Sequence, residues 1–276
     1  MGTFSTQRNG RVHDHDRIGL ANMSASLLEH LTENVRVVKQ QIADACHAAG
    51  RSATEVKLVA VTKYVDSAMA ITLARCLARC PDAQTVASPV ILGENRPQVL
   101  QERWSVWPAD LPVEWHMIGH LQTNKIKVVA DRTALIHSLD RFDLLDKLNE
   151  YAQKNNLRVR GLLEFRLSDD ADKHGFGVGD VPQLLDRWPT WTNLQLCGVM
   201  GMSGLEASPA EARKQFDSLR EIHAEIRQQL NSDAQAPWSE LSMGMSGDLP
   251  QSIAAGATLV RIGSALFRGL LNDSMH

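Results

Sequence analysis

Strand-like apolar runs alternate with helical segments along almost the whole chain, and this alternation limits the fold more than any other feature of the sequence. Eight such runs are legible: Val56–Val61, Thr85–Leu92, Val113–Ile118, Ala134–Leu139, Val159–Leu167, Leu194–Met200, Glu240–Met243 and Thr258–Ile262. Most are predominantly apolar without strict alternation, the pattern of parallel strands covered on both faces. Helical periodicity lies between them, clearest at Asp66–Arg79, Arg141–Asn155 and Pro209–Leu230, with shorter segments after Gln122, after Val181 and after Asp248. A further amphipathic helix, Ser24–Ala49, precedes the first strand. It carries Leu27, Leu28, Leu31, Val35, Val38, Ile42 and Ala45 on one face and closes at Gly50. Eight βα units in 276 residues point to an α/β fold, a single-domain TIM (β/α)8 barrel spanning residues 23–270. An open doubly wound sheet is the structural alternative. The polar stretch 1–22 reads as a disordered tail and 271–276 as a short C-terminal one.

Composition narrows the function classes. The net charge of −3 is spread along the chain, and no basic cluster interleaved with aromatics marks a nucleic-acid partner. No apolar run reaches membrane-spanning length and the first residues lack the apolar core of a signal peptide, so the cytosol is the expected location. Cys46, Cys76, Cys80 and Cys197 form no disulfide framework. Cys76 and Cys80 share a helix face but have no histidine partners for a metal. His13 and His15 fall in the polar tail.

A barrel places its chemistry at the C-terminal ends of its strands. The polar and glycine residues gather there: Lys63, Gly93-Glu94-Asn95, Gly119-His120, His137-Ser138, Arg166-Leu-Ser168, Met202-Ser203, Gly244-Met-Ser246 and Arg261-Ile-Gly263-Ser264. Lys63 follows the first apolar run directly. A lysine at a barrel mouth is partly withdrawn from water and can attack a carbonyl to form a Schiff base, although a solvated strand-end charge is the commoner outcome. Two late turns, around Gly244-Met-Ser246 and Gly263-Ser264, offer freed backbone N–H groups and hydroxyls to a phosphate. The short helix Ser264–Phe267 adds its N-terminus. Strand one neighbours strand eight in a closed barrel. A ligand with a phosphate at one end and an aldehyde at the other would therefore span from these turns to Lys63, and pyridoxal 5′-phosphate (PLP) has that shape.

Six strings occur in order: Leu58-Val-Ala-Val-Thr-Lys63, Leu92-Gly-Glu-Asn-Arg96, Trp115-His-Met-Ile-Gly-His-Leu-Gln-Thr-Asn-Lys125, Ile136-His-Ser-Leu-Asp140, Leu241-Ser-Met-Gly-Met-Ser246 and Val260-Arg-Ile-Gly263. Together they resemble the signatures of the pyridoxal phosphate homeostasis proteins, over roughly residues 24–269. The resemblance implies a single barrel similar to the N-terminal domain of alanine racemase, with PLP held as an internal aldimine on Lys63 and no established turnover. It also implies that Arg261 faces the pyridine nitrogen, that Ser246, Gly263 and Ser264 hold the phosphate, that Ser242 and Met243 line it, and that Asn95 lies beside the cofactor. A guanidinium at the ring nitrogen keeps it unprotonated, which makes the ring a poor electron sink and discourages carbanion chemistry.

The chain departs from the family's pattern in several places. Serine stands at 264 where threonine is commoner, and Glu164 and Arg166 introduce charges in strand five. Met200-Gly-Met-Ser203 replaces an apolar, proline-containing turn, Pro97 follows the Gly-Glu-Asn-Arg turn, and the segment after the second helix is long. A PLP racemase needs a second base on the opposite face of its substrate. Tyr64 adjoins Lys63 on the same side, Tyr151 falls in an outer helix, and His116 and His137 read as hydrogen-bonded core histidines. The expected function is therefore buffering or delivery of PLP, with PLP-dependent apoenzymes as recipients. The chain ends just past strand eight, where racemases continue into a dimerising domain, so a monomer is expected. The alternatives are a weak PLP-dependent racemase or lyase and a Schiff-base aldolase acting on a sugar phosphate.

Overall fold

Aliphatic and β-branched residues that pack well on both faces of a sheet form the eight strands. The computed structural model describes residues 14–80, 89–168 and 174–271, with side chains from residue 26 onward. The strands are β1 (Lys57–Val61), β2 (Val90–Glu94), β3 (Val113–Met117), β4 (Leu135–Leu139), β5 (Val159–Glu164), β6 (Leu194–Met200), β7 (Glu240–Ser242) and β8 (Leu259–Ile262). All pairings are parallel, and β1 pairs with β8 to close the barrel in sequence order. Around it run α1 (Asp14–Ala48), α2 (Ser67–Arg79), α3 (Pro97–Val106), α4 (Ile126–Val129), α5 (Phe142–Lys154), α6 (Val181–Arg187), α7 (Pro209–Gln229), α8 (Ser232–Gln235) and α9 (Leu249–Ala254). No helix among the described residues is long and apolar enough to cross a membrane.

Alternation along each strand divides the core in two. Val59, Ile91, Leu135, Leu162, Cys197, Met200 and Leu259 point inward and plug the barrel. Ala60, Leu92, Met117, Val260 and Ile262 point outward beneath the helices, where they join Leu31, Val35 and Val38 of α1. That helix lies against α2, α9 and the 3₁₀ turn Ser264–Phe267. Its Asn34 donates to the carbonyls of Leu266 and Arg268, at 3.2 and 3.0 Å, and so ties the turn that follows β8 to the outer layer.

The sequence expectations differ from the structure at identifiable points. Helix α1 begins at Asp14, inside the stretch expected to be a tail, because a polar composition does not by itself prevent helix formation. Residues 1–13 and 272–276, including His13, lie outside the described residues, as does the first part of the expected second strand. That strand continues through Gly93 to Glu94, since pairing with Arg103 lets a carboxylate be buried at its end. Strand β5 stops at Glu164, beyond which Phe165 makes only an isolated bridge to Phe176. Helix α3 carries little apolar periodicity because a buried arginine, Arg103, occupies its inner face; Pro97 sits in its first turn, where no amide donor is needed.

Candidate functional site

Val59 and Val61 of β1 point into the barrel, and the same alternation brings Lys63, two residues on, to the barrel mouth. Lys63 is half-buried, with its Nζ 4.5 Å from the centre of the Tyr64 ring. The loop that carries it is held by Arg103, whose guanidinium donates to the carbonyls of Thr62 at 2.9 Å, Val65 at 2.8 Å and Asp66 at 3.0 Å. Arg103 is itself paired with buried Glu94 at 2.7 Å, and Thr62 Oγ1 donates to the same carboxylate oxygen at 2.5 Å. A buried ion pair thus fixes the backbone on either side of Lys63.

Above the apolar plug lies a cavity of about 580 Å³. Lys63, Asn95, Ser246, Arg261, Gly263 and Ser264 all line it, so six of the residues expected at the site converge on one space. Ser242 and Met243 do not line the cavity. Both are fully buried: Met243 faces outward into the layer beneath the helices, and Ser242 faces inward below the cavity floor, as alternation from β7 requires. Ser242 instead positions Arg261, whose Nη1 donates to Ser242 Oγ at 2.7 Å and to the Ser242 carbonyl at 2.8 Å, while Nη2 donates to the Gly201 carbonyl at 3.1 Å.

The contact from Arg261 to Ser242 extends into a chain through the barrel interior. His137 Nδ1 lies 2.8 Å from Ser242 Oγ, and His137 Nε2 lies 2.9 Å from His116 Nδ1. Arginine can only donate, so the serine oxygen accepts from it; with His116 Nε2–H directed at Glu114, the neutral rings are oriented so that the serine proton points toward His137 Nδ1. His137 then carries its proton on Nε2 and donates to His116, which is left with Nε2–H toward Glu114 Oε2, 3.9 Å away. Burial lowers the pKa of His116 and drives that of His137 well below the ordinary histidine value, so both rings stay neutral. These are the hydrogen-bonded core histidines anticipated from the sequence.

Two opposed charges set the electrostatics of the cavity. Burial brings the Arg261 pKa down to about 10, with Glu164 and Asp248 acting in the other direction, so the guanidinium remains a cation at neutral pH. Burial pushes the Glu164 carboxyl up to about 7; Asp140 adds to that rise and Arg261 opposes it. Glu164 and Arg166, seen in the sequence only as charges in the barrel region, both face the mouth.

The remaining wall suits an anion and a small polar ring. Gly244 has a φ of 95°, and a Cβ there would meet Ser252 Oγ at 2.0 Å, so glycine is required for the turn after β7. Asp248 braces that turn by accepting from the Met245 amide at 2.6 Å and from Ser203 Oγ at 2.6 Å. This holds Ser246 3.4 Å from Ser264, oxygen to oxygen, across the gap between the β7 and β8 loops. The leading amides of the turn Ser264–Phe267 have no partner within that turn. On the opposite wall Asn95 Oδ1 is buried with no hydrogen-bond partner, an acceptor that a ligand donor would satisfy. Gly119 lets Asn95 approach, because a Cβ at 119 would meet the Asn95 carbonyl oxygen at 2.3 Å. An amine, a hydroxyl-rich anion cradle, an orphaned acceptor and a buried cation in one cavity fit PLP.

The sequence placed His120, Met202 and Met245 at strand ends but gave them no role; in the structure His120 and His174 lie on the cavity rim and Met202 and Met245 on its wall. His174 alone among these was not singled out, because it lies on the far side of a long loop.

No protein-family model matches the chain. Among curated proteins, the pyridoxal phosphate homeostasis protein of Aquifex aeolicus is 33% identical over 85% of this chain and 96% of its own length. That of Pseudomonas aeruginosa is 34% identical over 86% and 94%. Among solved structures, PipY of Synechococcus elongatus with PLP bound superposes with a TM-score of 0.71, at 28% identity over 86% of this chain and 99% of PipY. Alanine racemase from Bartonella henselae shares the fold, with a TM-score of 0.61 at 14% identity over 87% of this chain and 58% of its own. With relatives of this identity matched over nearly their full length, the chain belongs to the pyridoxal phosphate homeostasis protein family.

Proposed function

We propose that the protein binds PLP in the cavity at the C-terminal end of the barrel and holds it reversibly, buffering the free aldehyde or passing it to PLP-dependent apoenzymes. The observation that carries this reading is the convergence of Lys63, Arg261 and the Ser246 and Gly263-Ser264 turns on one cavity. Lys63 is the amine that would hold the aldehyde carbon as a Schiff base. The Ser246 and Ser264 hydroxyls and neighbouring amides would hold the phosphate, and Asn95 would accept a ligand hydrogen bond. When bound, PLP supplies an electrophilic carbon and an electron-withdrawing ring. Arg261, a cation at neutral pH, works against protonation of a ring nitrogen beside it and so favours holding over carbanion chemistry.

Purified protein mixed with PLP should develop absorption at about 420 nm, as protein-bound imines of PLP do. Lys63→Ala should lose the band and keep its fold, because a half-buried strand-end side chain contributes little packing. A band of undiminished intensity in Lys63→Ala would refute the assignment.

One observation favours a second reading. Glu164 titrates at about 7 in the same cavity, a suitable value for a general acid or base, and a weak PLP-dependent racemase or lyase would need such a group. Exchange of amino-acid α-protons into deuterated water, lost in Glu164→Gln, would establish that reading. Absence of exchange leaves the protein a carrier.

A further inference from the structure

Three metal-ligating side chains meet on the cavity rim, and the PLP-binding roles proposed above fall on none of them. His120 follows β3, Asp140 follows β4 directly, and His174 lies beyond β5, so three adjacent strands deliver one group each. Asp140 Oδ2 is 2.9 Å from His120 Nδ1 and 3.8 Å from His174 Nδ1. The two imidazoles stack with centroids 4.1 Å apart, and one donor atom from each of the three residues lies within 4.8 Å of the others. A tetrahedral ion with bonds of about 2.0–2.1 Å holds its donors roughly 3.3 Å apart, a spacing that the two measured distances bracket. Small side-chain rotations would close the set.

The surroundings orient the carboxylate at the centre of the group. Asp140 is buried, and its other oxygen, Oδ1, accepts from Arg141 Nη1 at 2.5 Å, which leaves Oδ2 directed at the histidines. Arg141 is anchored in turn by donating to the Leu121 carbonyl at 3.0 Å. A hydrogen-bonded carboxylate of this kind is how outer groups orient a metal ligand. Two residues beyond His174 the chain is tied to β5, through the Phe176 amide to the Glu164 carbonyl at 2.8 Å and the Arg166 amide to the Phe176 carbonyl at 3.0 Å. Glu164 and Arg166 are the other charged groups on the neighbouring cavity wall. Imidazole nitrogen with one carboxylate oxygen suits zinc-class divalent ions better than calcium or magnesium, which take oxygen donors.

We propose that His120, Asp140 and His174 form a binding site for a divalent transition metal ion of the zinc class on the rim of the cavity. Three protein ligands leave at least one coordination position open, and both histidines line the cavity, so that position is available to water or to a carboxylate or amine of a small molecule entering it. The site stands on residues other than Lys63 and the phosphate turns and is independent of what the cavity holds.

The test is calorimetric titration of chelator-stripped full-length protein with Zn²⁺, alongside Co²⁺ followed by its visible d–d absorption. One saturable equivalent is expected, with His120→Ala and His174→Ala each weakening binding by about tenfold or more. Both side chains are substantially exposed, 36% and 63%, so these variants should fold. Lys63→Ala should bind zinc as the parent does. Absence of saturable binding, unaltered binding in the histidine variants, or loss of binding in Lys63→Ala would each overturn the site, the last by showing that the ion is held through Lys63 or a group it carries.

Discussion

Glu164 and Arg261 are one pair of groups whose values are moved toward each other by burial, and the pair makes the cavity sensitive to pH. Glu164 has an ordinary value of 4.5 and titrates at about 7 in the folded chain. Between those values the unfolded chain has released a proton that the native state still holds, so the contribution of Glu164 to stability falls as pH rises from 4.5 and levels off above 7. In protein free of PLP, Glu164→Gln should match the parent below pH 4.5 and exceed it by about 3 kcal/mol at pH 8, read from urea unfolding at the two pH values. An equal difference at both would show that Glu164 is not held protonated. His223 works with the opposite sign. Burial, then Arg227, brings it down from 6.5 to about 4, so its share of stability is lost as pH falls through that interval. Ser242→Ala should cost about 1–2 kcal/mol, because it removes an acceptor from Arg261 and the hydroxyl that faces His137. Of these residues the sequence made Arg261 and Lys63 legible, through their strand-end positions and family strings. It could not show that Glu164 titrates near neutrality, since that depends on burial beside Asp140, which is contributed by another strand.

At the scale of elements, the period-two alternation of β1, β7 and β8 accounts for which site residues reach the cavity and which do not. The family resemblance implied that Ser242 and Met243 line the phosphate, but the register of a three-residue strand decides that one faces the barrel interior and the other the helices. Helix α3 was hidden for a related reason: Arg103 occupies the position where an apolar residue would have completed the helical period. That arginine supports the Lys63 loop with three hydrogen bonds to its carbonyls and one to Glu94, whose Oε2 already lacks a partner. Arg103→Met should therefore destabilise the protein by about 3–5 kcal/mol in chemical unfolding, since it strands a buried carboxylate. Arg103→Met combined with Glu94→Gln should recover part of that loss. If the single change costs under about 1 kcal/mol, the pair is not what holds the loop.

For the molecule as a whole, the count and order of apolar runs left a closed barrel and an open doubly wound sheet, and the polar residues gathered at the strand ends together with the family strings favoured the closed parallel barrel that the structure has. Strand ends were less legible, because burial of Glu94 and the bridge from Phe165 to Phe176 arise from contacts between distant segments. Closure of β8 on β1 brings Lys63 within one cavity of Gly263 and Ser264, residues some two hundred positions away in the chain. A ligand bound there ties the first and last strands together. PLP at a hundred times its dissociation constant should raise the unfolding free energy by about 2.7 kcal/mol, visible as a thermal shift. The central claim, that Lys63 holds PLP covalently, is tested most directly by reducing the PLP-loaded protein with borohydride and mapping the modified peptide by mass spectrometry. A reduced phosphopyridoxyl group on Lys63 is the predicted result; its presence on another lysine, or on none, would contradict the account.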